Sequence, residues 1–119
     1  ELPAFYTRKS GFAVDYELDS PAELAAAFHA SQGMGLKGGM LVTNPIPEQY
    51  AMDHDYISRT IEDACAEAAQ KGVKGKELTP FLLDRIQQIT AGKSLEANIE
   101  LVYNNARLAS RIAVELCKK

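Results

Sequence analysis

The spacing of apolar and polar positions changes along the chain, and each change predicts an element. Phe12 to Tyr16 alternates loosely, the habit of a short edge strand. A helix signature follows: Ser20 as N-cap, Pro21 at the first helical position and Glu23 completing a capping box. Leu24, Ala27, Phe28 and Ser31 line one face of that helix, and Gly33 or Gly35 stops it. Next comes Gly38-Gly39-Met40-Leu41-Val42-Thr43-Asn44-Pro45-Ile46-Pro47. An apolar run without alternation predicts a strand covered on both faces, as in parallel sheets. Pro45 drives Asn44 towards an extended backbone, and neither Pro45 nor Pro47 can donate to a ladder, so the strand ends there. Helix, short loop and strand make half of a crossover unit, and the fold class expected is α/β. The carboxyl end of such a strand is where ligands bind in open α/β sheets.

Three more helices are predicted. The first runs from about Asp53 to Lys71, with Ile57, Ile61, Ala64, Cys65, Ala68 and Ala69 at helical spacing and Gly72 at the stop position. Thr79-Pro80 opens the next, with Phe81, Leu82, Ile86 and Ile89 inside, and Gly92 closes it. The last, from about Ser94 to Leu116, shows an apolar face of Leu95, Ile99, Val102, Ala106, Ala109, Ala113 and Leu116. Asn98 falls on that face, and Asn105 follows seven residues later. A buried amide left without hydrogen bonds costs on the order of 1–3 kcal/mol. Asn98 is therefore either a structural amide bonded to a neighbouring loop or, near the helix start, a donor and acceptor for a ligand. Asn104-Asn105, deeper in the helix, reads as structural.

Composition narrows the function classes. The 119 residues fit one domain or a piece of one, and 46% hydrophobic residues allow a buried core. A net charge of −3 and a single basic stretch, Lys71 to Lys76, which reads as a solvated turn, give no sign of nucleic acid or an anionic membrane. No apolar run approaches the roughly 20 residues of a membrane span, and no secretory leader is expected. Cys65 and Cys117 lie in helical patterns without a partner at metal-ligand spacing, as reduced, partly buried thiols of a cytosolic protein would. His29 and His54 stand alone, and the successive residues Asp53-His54-Asp55 point in different directions on a helix, so no metal site is expected. The glycines at 33, 35, 38 and 39 precede a strand, whereas phosphate-cradling loops follow one. No Ser-His-Asp or Cys-His set presents itself, and chemistry alone nominates no catalytic group. The opening Glu1-Leu2-Pro3-Ala4-Phe5-Tyr6, apolar and aromatic at once and without Met, is expected of a fragment or a processed chain.

Several blocks, in order and covering essentially residues 1–119, resemble the C-terminal portion of the pseudouridine-5′-phosphate glycosidase (indigoidine synthase A-like) family. They are Glu1 to Tyr6, Val14-Asp15-Tyr16 leading to Asp19-Ser20-Pro21, and Gly35-Leu36-Lys37-Gly38-Gly39 with Asn44-Pro45-Ile46-Pro47. Gly75 to Leu83, which holds Thr79-Pro80-Phe81-Leu82, and Ser94-Leu95-Glu96-Ala97-Asn98-Ile99 complete them. The resemblance implies a helix-rich piece of an α/β/α sandwich that contributes one or two strands, the remainder of the same domain lying upstream. It further implies a cytoplasmic homotrimer that reversibly cleaves the C–C glycosidic bond of pseudouridine 5′-phosphate to uracil and ribose 5-phosphate. A carbon leaving group has no heteroatom to protonate, so a lysine Schiff base with the opened sugar supplies the electron sink. That lysine, the acid glutamate and the residues holding a divalent metal, manganese in the family, all belong to the portion before Glu1. None is carried over to Lys37, Lys93 or Glu96. The one substrate-contacting residue implied for this chain is Asn98, whose amide complements the N–H and C=O groups of the uracil imide. Thr43 to Pro47 is a second candidate for the site edge, against its reading as a rigid turn that aims the next helix. The competing class is a non-catalytic α/β interaction or small-ligand-binding module.

Overall fold

The computed structural model describes residues 1–118 and overturns the α/β expectation: its regular structure is helical, with no strand among the described residues. Four α-helices, α1 (Pro21–Gly33), α2 (His54–Gln70), α3 (Leu78–Ile89) and α4 (Lys93–Leu116), are joined by 3-10 turns at Glu48–Tyr50 and Gly75–Glu77. Gly38 to Thr43 carries apolar side chains but has no ladder to join. No backbone–backbone hydrogen bond ties residues 37–46 to another described segment. Leu41 is 89% exposed and Val42 39%, where two covered faces were expected. A run of apolar residues makes a strand only when a second backbone takes up its N–H and C=O groups. Phe12 to Tyr16 fails as an edge strand for the same reason, with one bond from the Leu2 N–H to the Phe12 carbonyl (2.8 Å).

The helix ends follow local chemistry closely. At α1 the Glu23 N–H donates to Ser20 Oγ (3.2 Å) and the Ser20 N–H donates back to the Glu23 carboxylate (3.0 Å). Gly35, at φ +72, closes α1 by giving its N–H to the Gln32 carbonyl while Leu36 reaches Ser31. Asp53 caps α2 through the Tyr56 N–H (2.8 Å), and Gly72 closes it in the same left-handed manner. α3 starts at Leu78, ahead of the expected Thr79-Pro80 cap, out of the preceding 3-10 turn. Pro80 then sits in the first turn, where no intrahelical N–H is needed.

The junction between α3 and α4 is the tightest in the chain. Thr90 Oγ1 donates to the Ile86 carbonyl (2.9 Å) and accepts from the Ser94 N–H (3.1 Å), with both Thr90 and Ser94 buried. Ala91 takes the left-handed closing position at φ +52, where a Cβ is unfavourable, and Gly92 follows at φ +85. Ala91→Gly should raise the unfolding free energy by about 0.5–1 kcal/mol, the relief of strain exceeding the added chain entropy. A lowered thermal midpoint would show that Ala91 is not strained.

The core is small. Tyr6, Ile46, Ile57, Ala64, Ile86 and Ala97 form its buried cluster, and Ile46 is wholly enclosed. α2 turns Ile57, Thr60, Ala64 and Ala68 inward, so its expected stripe is rotated and Cys65 and Ala69 are exposed. Glu67 joins α2 to α3 by pairing with Arg85 while also holding Lys71 at 2.7 Å. The Lys71 hydrogen bond, followed by that of Arg85, keeps the Glu67 carboxyl below its ordinary value. α4 lies against α1 and α3. Ala97, Leu101, Asn104, Leu108 and Ile112 form its covered side, whereas the expected face of Leu95, Ile99, Val102, Ala106, Ala109 and Ala113 is exposed. A helix of 24 residues here has two apolar faces, and only one is covered by these residues.

Candidate functional site

The loop after the extended segment is fixed on three sides. Pro45 and Pro47 restrict its backbone, and Ile46 between them is wholly enclosed in the core. Asn104 Nδ2 donates to the Pro45 carbonyl (3.0 Å), and Arg8 Nη1 donates to the Ile46 carbonyl (2.6 Å). Asn44 Nδ2 donates to Asn105 Oδ1 (3.2 Å), tying the loop to α4 a second time. The Pro47 carbonyl accepts from Tyr50 and Ala51, which turns the chain, and the Met52 N–H reaches the Tyr6 carbonyl (2.9 Å) just before α2. Thr43 to Pro47 thus has the geometry of a rigid turn.

An open groove of about 420 Å³ lies beside this turn. Pro3 to Phe5 and Val42 to Asn44 form its walls, with Leu101 and Asn105 contributed by α4. The turn is therefore also an edge of the groove. What the arrangement offers is apolar wall and side-chain amide, the equipment for holding a planar polar ligand rather than for breaking bonds.

Asn98 stands on the same side of α4, since positions 98, 101 and 105 follow helical spacing. It is half-buried, and its amide makes no hydrogen bond to the other described residues. Asn104 and Asn105, by contrast, are both committed to the loop. The structure does not bring Asn98 into the groove lining itself. Seven residues at 1.5 Å each put it about 10 Å along the axis from Asn105. Sequence reasoning missed the roles of Arg8 and Asn44. The adjacent Asn104-Asn105 pair carried a signal, because amides are poor helix formers unless a neighbouring backbone rewards them.

Other candidates fall away on geometry. Cys65 and Cys117 are free and exposed, not partly buried. His54 Nδ1 meets Asp55 Oδ1 at 3.2 Å on the surface, and no group of three or more His, Cys, Asp or Glu among the described residues could hold a metal ion. The described residues of this chain do not fit a divalent metal. Every described lysine is exposed within this chain. Among the described residues, no helix is long and apolar enough to cross a membrane.

A rigid amide-edged lobe on a helical unit is the class of object these features define. Residues 1–115 match the model of the family described as indigoidine synthase A like protein, and the chain belongs to that family. It is 64% identical over 118 residues to a pseudouridine-5′-phosphate glycosidase of Clostridium botulinum and 55% identical over 118 residues to one of Caldanaerobacter subterraneus. Each match takes in 99% of this chain but 38% of the relative. An indigoidine synthase A-like protein of Thermotoga maritima superposes with a TM-score of 0.81 at 38% identity, covering 98% of this chain and 38% of that one. The prealnumycin C-glycosynthase AlnA, solved with ribulose 5-phosphate, superposes at 0.83 with 28% identity, over 95% of this chain and 37% of that one. The chain thus spans little more than a third of the length of these relatives.

Proposed function

We propose that this chain is the C-terminal portion of a pseudouridine-5′-phosphate glycosidase and supplies one wall of its substrate pocket. The observation that carries the reading is the 64% identity to a protein of that name across 99% of the chain. Its role is to hold the uracil ring. Asn98 offers one acceptor and two donors from an amide uncommitted among the described residues, matching the alternating N–H and C=O groups of the imide. The neighbour solved with ribulose 5-phosphate supports a place for a phosphorylated five-carbon sugar in the same fold. The iminium that withdraws electrons from the C–C bond is formed by a lysine outside these residues. Such a lysine must be partly neutral to attack, which calls for a shielded setting, whereas every described lysine is exposed within this chain. The same reading carries with it the family's homotrimer, cytoplasmic location and manganese requirement.

Surface area supports a larger whole. A compact protein of 13.0 kDa exposes about 6,300 Å² and, at 119 residues, has a radius of gyration near 13.5 Å. This chain exposes 8605 Å², with a radius of gyration of 17.6 Å. The excess of roughly 2,300 Å² is well above the ~800 Å² that one partner contributes to a standard protein–protein interface. The remainder of the same polypeptide is the occupant that fits.

Borohydride trapping tests the assignment of labour. The full-length polypeptide, incubated with pseudouridine 5′-phosphate and reduced, should release uracil before reduction and carry its sugar adduct on a lysine outside these 119 residues. An adduct at Lys37 or Lys93, found by peptide mapping, would overturn the placement of the nucleophile. No uracil release at all would overturn the enzymatic reading.

A further inference from the structure

We propose that Asn44 and Asn105 form a positioning pair that sets the rotation of α4 and thereby aims Asn98. The inference rests on the uracil-contact reading of Asn98. α4 is a single helix of 24 residues, held at its start by Thr90 and Ser94 and at its middle by the loop. Asn98 and Asn105 are seven residues apart, and seven residues bring an α-helix to within about 20° of two full turns. Whatever fixes the helix rotation at Asn105 therefore fixes it at Asn98.

The loop is suited to that task. Ile46 anchors it in the core, Arg8 holds its carbonyl, and its two prolines remove backbone freedom. The bond from Asn44 Nδ2 to Asn105 Oδ1 sits at the groove edge, so a rigid part of the fold meets the helix two turns from Asn98. A side chain about 6 Å from the helix axis moves about 1 Å for a 10° rotation. Misplacements of about 1 Å can cost up to a hundredfold in rate, and a neutral hydrogen bond lost at an exposed site allows a smaller rotation than that. Asn105 touches the loop rather than the reacting atoms, which makes it a positioning residue.

The test is a double-mutant cycle in the full-length enzyme, with kcat/KM on pseudouridine 5′-phosphate and the thermal midpoint both measured. Asn105→Leu should lower kcat/KM about three- to tenfold. Asn105→Asp keeps the acceptor for Asn44 and should stay within twofold of wild type, by roughly the resolution of such cycles. Asn44→Asp, which sets acceptor against acceptor, should behave as Asn105→Leu does. In an Asn98→Ala background, Asn105→Leu should add less than about a twofold loss, because the residue it aims is gone. Equal losses in both backgrounds would overturn the proposal, as would an Asn105→Asp enzyme as poor as Asn105→Leu. Wild-type activity in Asn98→Ala alone would overturn the Asn98 reading instead, so the two failures are distinguishable.

Discussion

Asn98→Ala in the full-length enzyme is expected to lower kcat/KM on pseudouridine 5′-phosphate at least about tenfold, from the loss of one or two hydrogen bonds to the base. Two observations set the direction. Asn98 is half-buried as a residue while its amide atoms still reach the surface, and no other described residue uses them. An amide held on a partly packed helix side without a partner is free to bond a ligand. Folding should suffer little, because an amide with no partner in the fold has few contacts to lose. The thermal midpoint of the variant should therefore match wild type within about a degree or two, a shift well below ~1 kcal/mol. Asn104→Ala makes the opposite case, since it strips the Pro45 carbonyl of its donor and should act on stability. Wild-type turnover by the Asn98→Ala enzyme would return this residue to a structural role.

The sequence showed its helices well, but the strands it suggested are absent from the described residues. Caps are local: Ser20 with Glu23, Asp53, and the glycines at 35 and 72 act on backbone within four residues, so their spacing is visible without the fold. Gly38 to Thr43 could be read only as apolar and unbroken, and a strand is a property of two segments rather than one. The stripe on α4 failed for a related reason. Leu95, Ile99 and Val102 do lie on one face at helical period, but period does not say which of two apolar faces the chain itself covers. Asn105 and Asn104 were legible as structural amides, whereas their partners, the Asn44 side chain and the Pro45 carbonyl, are about 60 residues away and gave no local mark. The groove edge at Thr43 to Asn44 was found through the prolines that end the run, even though the strand that motivated it is absent.

Val102→Asp should destabilise the full-length protein by more than about 3 kcal/mol, or leave it insoluble, although Val102 is 56% exposed in this chain. If this chain were the whole fold, a charge at so exposed a site would be neutral to within about 0.5 kcal/mol. The two expectations differ because Leu95, Ile99, Val102, Ala106 and Ala109 make a continuous apolar stripe, and the total surface of the chain is some 2,300 Å² larger than a compact chain of this mass allows. Packing the rest of the polypeptide on that stripe would bury the carboxylate without a partner, and an ion stripped of water in an apolar contact costs several kcal/mol. Arg111→Asp, at an exposed position off the stripe on the same helix, is the control for helix propensity and net charge. Urea unfolding of both variants at two protein concentrations separates the occupants. Loss that is independent of concentration identifies the same polypeptide as the cover, whereas loss that grows on dilution identifies a second copy. A Val102→Asp protein as stable as the Arg111→Asp control would mean that the outer face of α4 is open to water in the complete enzyme, and the surface excess would then need a different cover.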